Sequence, residues 1–192
     1  MSIVIFFAII GGSFTWLVSV YNKLIRMIEA VNNNKHQIDI QLDRRFKVYK
    51  SLIEVVKKYM DYEQTTLKEV VALRSQAQQA QVKGQEQERI KAEESISKIG
   101  ANLNLVFEKY PDLKADKNLL QLQEEIVSTE NKLTFAKQSY NDSIERYVAT
   151  SKSLLESLIV SCFPSKLMQH FIYWGITDDS ERQAKENYQV KL

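Results

Sequence analysis

The sequence contains few of the residues that interrupt helices. Its 192 residues include two prolines and five glycines. Because proline and glycine are the strongest local breakers of regular structure, so small a number predicts long helices joined by few turns. Cysteine is also scarce. Cys162 is alone, so no disulfide can form within the chain.

The scarcity of histidine and cysteine also limits the chemistry. A di-iron site in a helical bundle needs Glu-x-x-His pairs, but Asn33 and Leu167 stand three positions before His36 and His170. One cysteine and two histidines cannot build a Cys/His zinc site. No glycine-rich phosphate loop occurs, and Cys162 is more simply explained as a half-buried structural cysteine. We therefore expect no catalytic, cofactor-binding or metal-binding residues, no cofactor and no enzymatic activity.

The charge balance argues against a nucleic-acid partner. The chain has 26 basic and 24 acidic residues, which leaves a net charge of +2. Nucleic-acid binding proteins carry a basic stripe or patch that neutralises phosphates. Here the charges are spread along the chain, and we expect no nucleic-acid binding.

Charge is absent from the first part of the chain. No charged side chain occurs in Met1–Asn22, and Ile3–Val20 is an apolar run. About 20 apolar residues suffice to cross a bilayer as a helix, and Trp16 and Tyr21 suit the headgroup layer. A cleaved signal peptide is the alternative, but it would need a basic segment before the run and a small-residue cleavage site after it. The sequence has neither, so we predict an uncleaved transmembrane anchor over residues 1–22.

The flanks of this run predict its orientation. Lys23, Arg26 and Lys35 follow it, and cytoplasmic flanks are enriched in lysine and arginine. We therefore expect a single-pass protein with its amino terminus outside and its body in the cytoplasm. Small residues spaced four apart allow close packing of membrane helices, the alternative being a plain anchor. These candidates for transmembrane packing are Ala8, Gly11, Gly12 and Thr15.

Apolar residues at helical spacing predict three helices after the apolar run. The first continues the anchor from Tyr21 to about Arg45, and its stripe is Leu24, Ile28, Val31, Ile38 and Leu42. The second follows a chain reversal placed at Phe46–Lys50 and ends near Gly84; its stripe includes Leu52, Val56, Val70, Leu73, Ala77 and Ala80. The third spans about Glu86–Lys109 and stops at Tyr110–Pro111; its stripe is Ile90, Ile96, Ile99, Leu103 and Val106.

A fourth helix has the clearest periodicity. Its residues at intervals of seven are Leu119, Ile126, Leu133, Tyr140, Tyr147 and Leu154. This is the a/d-type seam of a coiled coil or bundle, and it is predicted to end at Phe163–Pro164. Short turns between four amphipathic helices predict an all-α fold, an antiparallel up-down four-helix bundle over residues 23–163. Residues 164–192 form a short amphipathic segment and a polar tail. The segment either docks on the bundle or contacts the bilayer.

Several polar residues fall on or near the inward stripes. They are Gln41, Arg44, Arg45, Glu63, Arg74, Thr129, Glu130 and Asn141. Charges at such positions must be paired, because burial of an unpaired charge is costly. Two readings stand side by side: a network that fixes the register of the helices, and a polar groove for a partner or ligand. For Arg44–Arg45 a third reading is contact with lipid headgroups, if the first helix is short.

The chain resembles the LemA family of bacterial membrane proteins. Gln37–Arg45, Gln-Ile-Asp-Ile-Gln-Leu-Asp-Arg-Arg, is similar to that family's Q-I-D-V-Q-L-x-R-R. Further similar segments follow in order: Glu63 with Thr66–Leu67, Val70 and Arg74, then Tyr110–Ala115, Leu122–Gln123, Thr129–Asn131, Tyr140–Asp142 and Phe163–Pro164. One departure is that the family's proline-containing turn after the double arginine is replaced by Lys47–Ser51.

The resemblance implies a bacterial inner-membrane protein with a cytoplasmic bundle and no catalytic residues. Relatives encoded beside membrane-bound metalloproteases, and a magnetosome membrane protein in the family, suggest a role in membrane organisation or quality control. Our main hypothesis is a non-enzymatic scaffold or adaptor that binds itself or other membrane proteins, with a membrane protease among the candidates. One alternative is a lipid-organising protein that oligomerises on the bilayer. The other is an enzyme or ligand-binding bundle.

Overall fold

The computed structural model describes residues 1–56, 63–107 and 117–175, and their side chains except those of residues 2, 56, 63–67 and 101–107. These residues form helices, and no β-strand occurs among them. The helices are α1 Ser2–Val56, α2 Glu63–Val82, α3 Glu86–Phe107, α4 Lys117–Ser151, α5 Leu154–Cys162 and α6 Pro164–Leu167. The all-α prediction is confirmed. The predicted stop at Tyr110–Pro111 and the polar tail after Ile176 lie outside the described residues.

The helices belong to two compact units. The first, here called the anchor unit, comprises Met1–His36 and Gln138–Tyr173. The second, here called the bundle unit, comprises Gln37–Lys137 and, of the described residues, Trp174 and Gly175. Helices α1 and α4 each contribute residues to both units, because neither helix is interrupted at the unit boundary.

Four helices share the hydrophobic core of the bundle unit. Helix α1 contributes Val48, Tyr49, Leu52 and Ile53, α2 contributes Val70, α3 contributes Ile96, and α4 contributes Leu119 and Ile126. These side chains are buried and in mutual contact, and half-buried Phe46, Leu73, Ile99 and Leu122 pack around them. The core confirms the predicted four-helix bundle. Its α2, α3 and α4 residues lie on the predicted stripes, whereas its α1 residues come from the segment predicted to hold the chain reversal and the start of the second helix.

The helix that carries the apolar run also carries part of this core. Helix α1 continues to Val56, so the predicted continuity between anchor and first bundle helix is confirmed. The predicted reversal at Phe46–Lys50 is wrong. Val48 and Tyr49 occupy the inward face of α1 and are buried, and Lys47–Ser51 has no proline or glycine to end the helix. The three asparagines Asn32–Asn34 do not break α1 either, since the Asn34 amide donates a hydrogen bond to the Ser139 carbonyl at 3.1 Å.

A tight turn joins α2 to α3, as predicted near Gly84. Gly84 has a φ of +70°, which is the left-handed conformation that glycine adopts without strain. The Gln85 N–H donates to the Ala80 carbonyl at 2.8 Å, and the Gly84 N–H donates to the Gln81 carbonyl at 3.1 Å. These bonds satisfy carbonyls at the end of α2 that have no partner within the helix.

The seam predicted for the fourth helix holds over its first five positions. Leu119, Ile126, Leu133, Tyr140 and Tyr147 are all buried. The sixth prediction, Leu154, is wrong, because α4 ends at Ser151 and Leu154 begins a separate helix with its side chain exposed. The Ser153 hydroxyl and N–H both donate to the Thr150 carbonyl, at 2.7 and 3.1 Å, and so turn the chain at this point.

The segment after Pro164 packs against α4. Leu167 is fully buried, and the Tyr147 hydroxyl donates a hydrogen bond to its carbonyl. The rings of Tyr147 and Phe171 meet edge to face with centroids 5.7 Å apart. The Tyr140 hydroxyl donates to the Ile172 carbonyl at 3.2 Å. Of the two readings of this segment, the structure supports docking on the protein.

Candidate functional site

A buried ion pair between Arg45 and Glu93 lies at the centre of the bundle unit. Each side chain is about 1% exposed. The Arg45 guanidinium donates to the Glu93 carboxylate and, at 3.0 Å, to the Glu93 backbone carbonyl. It also donates to the Ser97 hydroxyl one turn further along α3. The guanidinium therefore exchanges its hydration for a set of fixed acceptors on one neighbouring helix.

A second arginine extends this pair to α2. Arg74 Nη1 lies 2.5 Å from the other oxygen of Glu93, and Arg74 Nη2 is paired with Asp43 on α1. One carboxylate thus receives two guanidinium groups from two different helices. The Arg74 guanidinium also lies 5.9 Å from the centroid of the Phe46 ring, within reach of a cation–π interaction.

A third arginine repeats the arrangement further along the same helices. Arg89 is 2% exposed, pairs with Asp39 on α1 and has its Nη1 3.4 Å from Glu86 on its own helix. Its guanidinium lies 5.5 Å from the centroid of Trp174, which Lys137 also approaches at 5.2 Å. Asp39 and Asp43 are four residues apart on α1, as are Arg89 and Glu93 on α3. The ion pairs that these residues make therefore lie one helical turn apart along the same helix faces.

A tyrosine extends the polar cluster to α4. The Tyr49 hydroxyl donates to Glu130 Oε1 at 2.9 Å, and Arg45 Nη1 lies 3.8 Å from the same oxygen. Burial, followed by the negative charge of Glu130, raises the pKa of Tyr49 well above its ordinary value. Burial also lowers the pKa of Lys137, and the positive charge of Arg45 adds to that effect. The phenol is therefore held as a neutral donor over the physiological pH range.

The chemistry of this network is that of paired, enclosed charges. Each buried guanidinium faces at least one carboxylate, which is the condition under which buried charges are tolerated. Among residues 1–56, 63–107 and 117–175, no group of three or more His, Cys, Asp or Glu side chains is arranged to hold a metal ion. The arrangement is suited to fixing the register of α1, α2, α3 and α4 against one another.

Only some of the polar residues that the sequence predicted to lie near the inward stripes belong to this ion-pair network. Arg45, Arg74 and Glu130 belong to the network, whereas Arg44 points outward and pairs with Glu125 at 3.3 Å. Thr129 is buried and Gln41 is half-buried, and neither Thr129 Oγ1 nor Gln41 Oε1 has a hydrogen-bond partner within the described part of the chain.

Asn141 is half-buried on the α4 portion of the anchor unit, whereas the network residues belong to the bundle unit. The side chain of Glu63 lies outside the described residues. The reading of Arg44–Arg45 as a pair that contacts lipid headgroups is wrong. Helix α1 is long, and the Arg45 side chain is enclosed in the bundle.

The apolar run in the anchor unit is exposed from Ile3 to Ser19, and only its last residue, Val20, is buried. Helix α1 is long and apolar enough to cross a membrane, and it is the one such helix in the described part of the chain. Its most apolar window of 18 residues is only 6% buried, unlike the core helix of a soluble protein. Ala8 is exposed, and a Cβ added at Gly11 or Gly12 would meet nothing within 4 Å. The Thr15 hydroxyl donates to the Gly11 and Gly12 carbonyls at 3.1 and 2.9 Å.

With this arrangement established, comparison with known proteins identifies the family. A family model described as the LemA family matches residues 34–188. The chain belongs to the LemA family. The match includes the Gln37–Arg45 segment, which contributes Asp39, Asp43 and Arg45 to the network. A relative called protein LemA, from Metamycoplasma hominis, is 29% identical over 166 residues, which cover 85% of this LemA-family chain and 73% of the relative.

Several network residues of this LemA-family chain are missing from the sequence interpretation. Glu93 and Arg89 lie outside the predicted stripe of α3, which follows Ile90, Ile96 and Ile99. The observed inward face also includes Ala92 and Gly100. Residues 89, 93, 96 and 100 follow helical spacing of three and four, so the sequence does place Arg89 and Glu93 on one face with Ile96, although it does not identify their partners on α1 and α2.

Proposed function

We propose that this protein is a non-enzymatic, single-pass scaffold of the bacterial inner membrane that assembles with itself through α4. In this proposal, the amino terminus is outside and the bundle unit is in the cytoplasm, as Lys23, Arg26 and Lys35 after the apolar run suggest. Family membership and the exposed apolar run are consistent with membrane attachment.

One observation carries the proposal, an apolar stripe on the outward face of α4. Leu120, Val127 and Phe135 are 44, 57 and 67% exposed. Their spacings of seven and eight residues place them on one side of the helix. They line a shallow groove of 640 Å³ together with Gln123, Glu124, Ser128, Asn131 and Lys132. The helix therefore buries one apolar seam in the bundle and leaves a second one uncovered.

The spacing of the stripe favours a helix as its occupant, because apolar residues seven and eight positions apart lie on one helix face, which can pack against a similar face of another helix. A second copy of the chain supplies such a seam. Copies anchored in one bilayer share an orientation, so a two-fold axis normal to the membrane brings the stripe of one copy against the same stripe of the other. Apolar side chains then face apolar side chains. Other membrane proteins with a matching helix are the competing occupants.

Native mass measurement in mild detergent and in lipid nanodiscs tests this proposal. We expect the full chain to form oligomers, and Val127→Glu to return it to monomers because the seam then buries a charge. Val71→Glu is the matched control, since Val71 is an exposed valine of α2 in the same unit. Monomers of the unmodified chain in both media, with no protein co-purifying, would refute the scaffold. Co-purifying membrane proteins lost only in Val127→Glu would instead identify an adaptor.

A further inference from the structure

Helix α5 in the anchor unit exposes its apolar face. Leu154, Leu155 and Leu158 are 82, 50 and 61% exposed. Exposed Ser161 and Cys162 continue the same face, since all five positions follow i, i+1, i+4, i+7 and i+8 spacing. No charge is present on this face. Ile159 is buried on the inner side of α5, so the helix already packs on the protein through one apolar residue while its three leucines stay exposed.

The charged residue of α5 is held away from this face. Glu156 Oε1 lies 3.3 Å from Lys23 Nζ on α1, and the Ser153 hydroxyl donates to the other carboxylate oxygen. The hydrogen bond from Ser153, with a further contribution from Lys23, lowers the pKa of Glu156. The Glu156 carboxylate is therefore paired within the protein, whereas the leucine side chains of α5 have no protein cover and contact whatever surrounds the helix.

The position of α5 along α1 indicates what those surroundings are. Phe163, directly after α5, stacks edge to face on Tyr21 with ring centroids 5.2 Å apart. Tyr21 and Lys23 follow the apolar run Ile3–Val20 closely in the sequence. Contacts at both Glu156 and Phe163 therefore place α5 beside the residues at which the candidate membrane span ends.

We propose that α5 and Phe163 form a second membrane contact, an interfacial helix whose leucine face enters the bilayer that α1 spans. Amphipathic helices of this kind lie in the plane of the interface, with their apolar side at the boundary of headgroups and acyl chains. Exposed Lys152 and Lys166 flank the segment, and their ammonium groups can reach anionic headgroups while the leucines insert. Glu156 is the single charged residue between these two lysines.

The bilayer is the occupant that the structure favours over a second copy of the chain. Any helix held beside the end of a membrane span meets lipid without a further partner, whereas a protein partner would have to displace that lipid. The contact is independent of the α4 stripe, which lies in the other unit. It gives the anchor unit two attachments to one leaflet.

The single cysteine makes the test direct, because Cys162 is exposed on the proposed face and not half-buried as the sequence predicted. The full chain is labelled there with an environment-sensitive fluorophore and reconstituted in phosphatidylethanolamine–phosphatidylglycerol vesicles. We expect blue-shifted emission, quenched about twofold or more by lipids with a nitroxide near the top of the acyl chain, since interfacial helices reach only about 5–10 Å into the membrane. A water-soluble quencher should have little effect.

Two variants make the result specific. Leu154→Asp combined with Leu158→Asp should abolish quenching by the lipid nitroxide while circular dichroism shows the helical content retained. Leu120→Asp combined with Val127→Asp, which removes the α4 stripe, should leave the quenching unchanged. The proposal is overturned if the label on the unmodified chain is reached mainly by the water-soluble quencher. It is also overturned if neither quencher reaches the label, because a second protein copy then covers α5.

Discussion

Arg44 and Arg45 are adjacent in the chain, yet only Arg45 enters the interior of the bundle. The Arg44 side chain is 40% exposed and pairs with Glu125 at 3.3 Å, while Arg45 is 1% exposed and pairs with Glu93. Successive residues of a helix point about 100° apart, so one arginine faces solvent and the next faces α3. The pair therefore provides a comparison of a surface and a buried ion pair at one place.

We predict that Arg45→Ala lowers the free energy of unfolding by about 3–5 kcal/mol, because it leaves carboxylate charge in the core with fewer partners. Arg44→Ala should cost less than about 1 kcal/mol, as exposed pairs do. Urea unfolding of the full chain in detergent, followed by circular dichroism, measures both. Similar losses for the two variants would show that Arg45 is not effectively buried in solution.

Gly100 gives a second prediction, in which local and tertiary effects have opposite signs. Helix propensity alone predicts that Gly100→Ala stabilises α3 by up to about 1 kcal/mol. A Cβ at this position, however, would overlap the ring and hydroxyl of Tyr49. Tyr49 is held by its own hydrogen bond to Glu130, so it cannot move aside without losing that bond.

We therefore expect Gly100→Ala to destabilise the bundle by about 1–3 kcal/mol, the usual cost of overpacking. Tyr49→Leu provides the control, since a smaller side chain opens the space. In the Tyr49→Leu background, Gly100→Ala should become neutral or stabilising. Thermal or urea unfolding of the four proteins gives the coupling between the two positions, and a coupling of zero would contradict the observed contact.

The raised pKa of Tyr49 predicts a dependence of stability on alkaline pH. Because the folded pKa exceeds the ordinary value of 10.0, the contribution of the phenol is complete below about pH 10 and is lost as the pH rises toward the folded pKa. Tyr49→Phe should cost about 1 kcal/mol at pH 8, where only the hydrogen bond is removed. The stability cost of Tyr49→Phe should shrink by up to about 1.4 kcal/mol per pH unit above pH 10.

Unfolding free energies of the unmodified chain and Tyr49→Phe at pH 8 and pH 11 test this expectation. Taking the difference between the two proteins cancels other titrating groups, including Lys137, whose lowered pKa acts in the opposite direction. A difference that stays constant from pH 8 to pH 11 would mean that Tyr49 titrates alike in the folded and unfolded chains.

Leu167 and Met168 provide a test of the docked carboxyl-terminal segment. Leu167 is fully buried beneath Tyr147, and Met168 is exposed. Leu167→Ala should cost about 2–5 kcal/mol through lost burial and the cavity left behind. Met168→Ala should change the stability by less than about 0.5 kcal/mol, as an exposed position does. Equal effects in urea unfolding would show that the segment is not docked in solution.

Much of the fold follows from residue spacing alone. The apolar run, the heptads of α4 and the turn at Gly84 were all predicted, because helix periodicity and a glycine at a left-handed position are local properties. The predicted chain reversal at Phe46–Lys50 is wrong because it relied on the same local spacing. Arg44–Arg45 interrupts the apolar pattern of α1, and spacing does not reveal that one of these arginines is part of the core.

The sequence by itself determined that this is a helical protein of the LemA family with a membrane-length apolar segment and a bundle. Only the tertiary structure decided which charges pair. Arg45 finds Glu93 48 residues away, and Arg89 finds Asp39 50 residues away, with partners that no local pattern specifies. The same holds for Leu154. Its heptad position predicted burial, but whether an apolar side chain is covered depends on the neighbours that the folded chain brings to it.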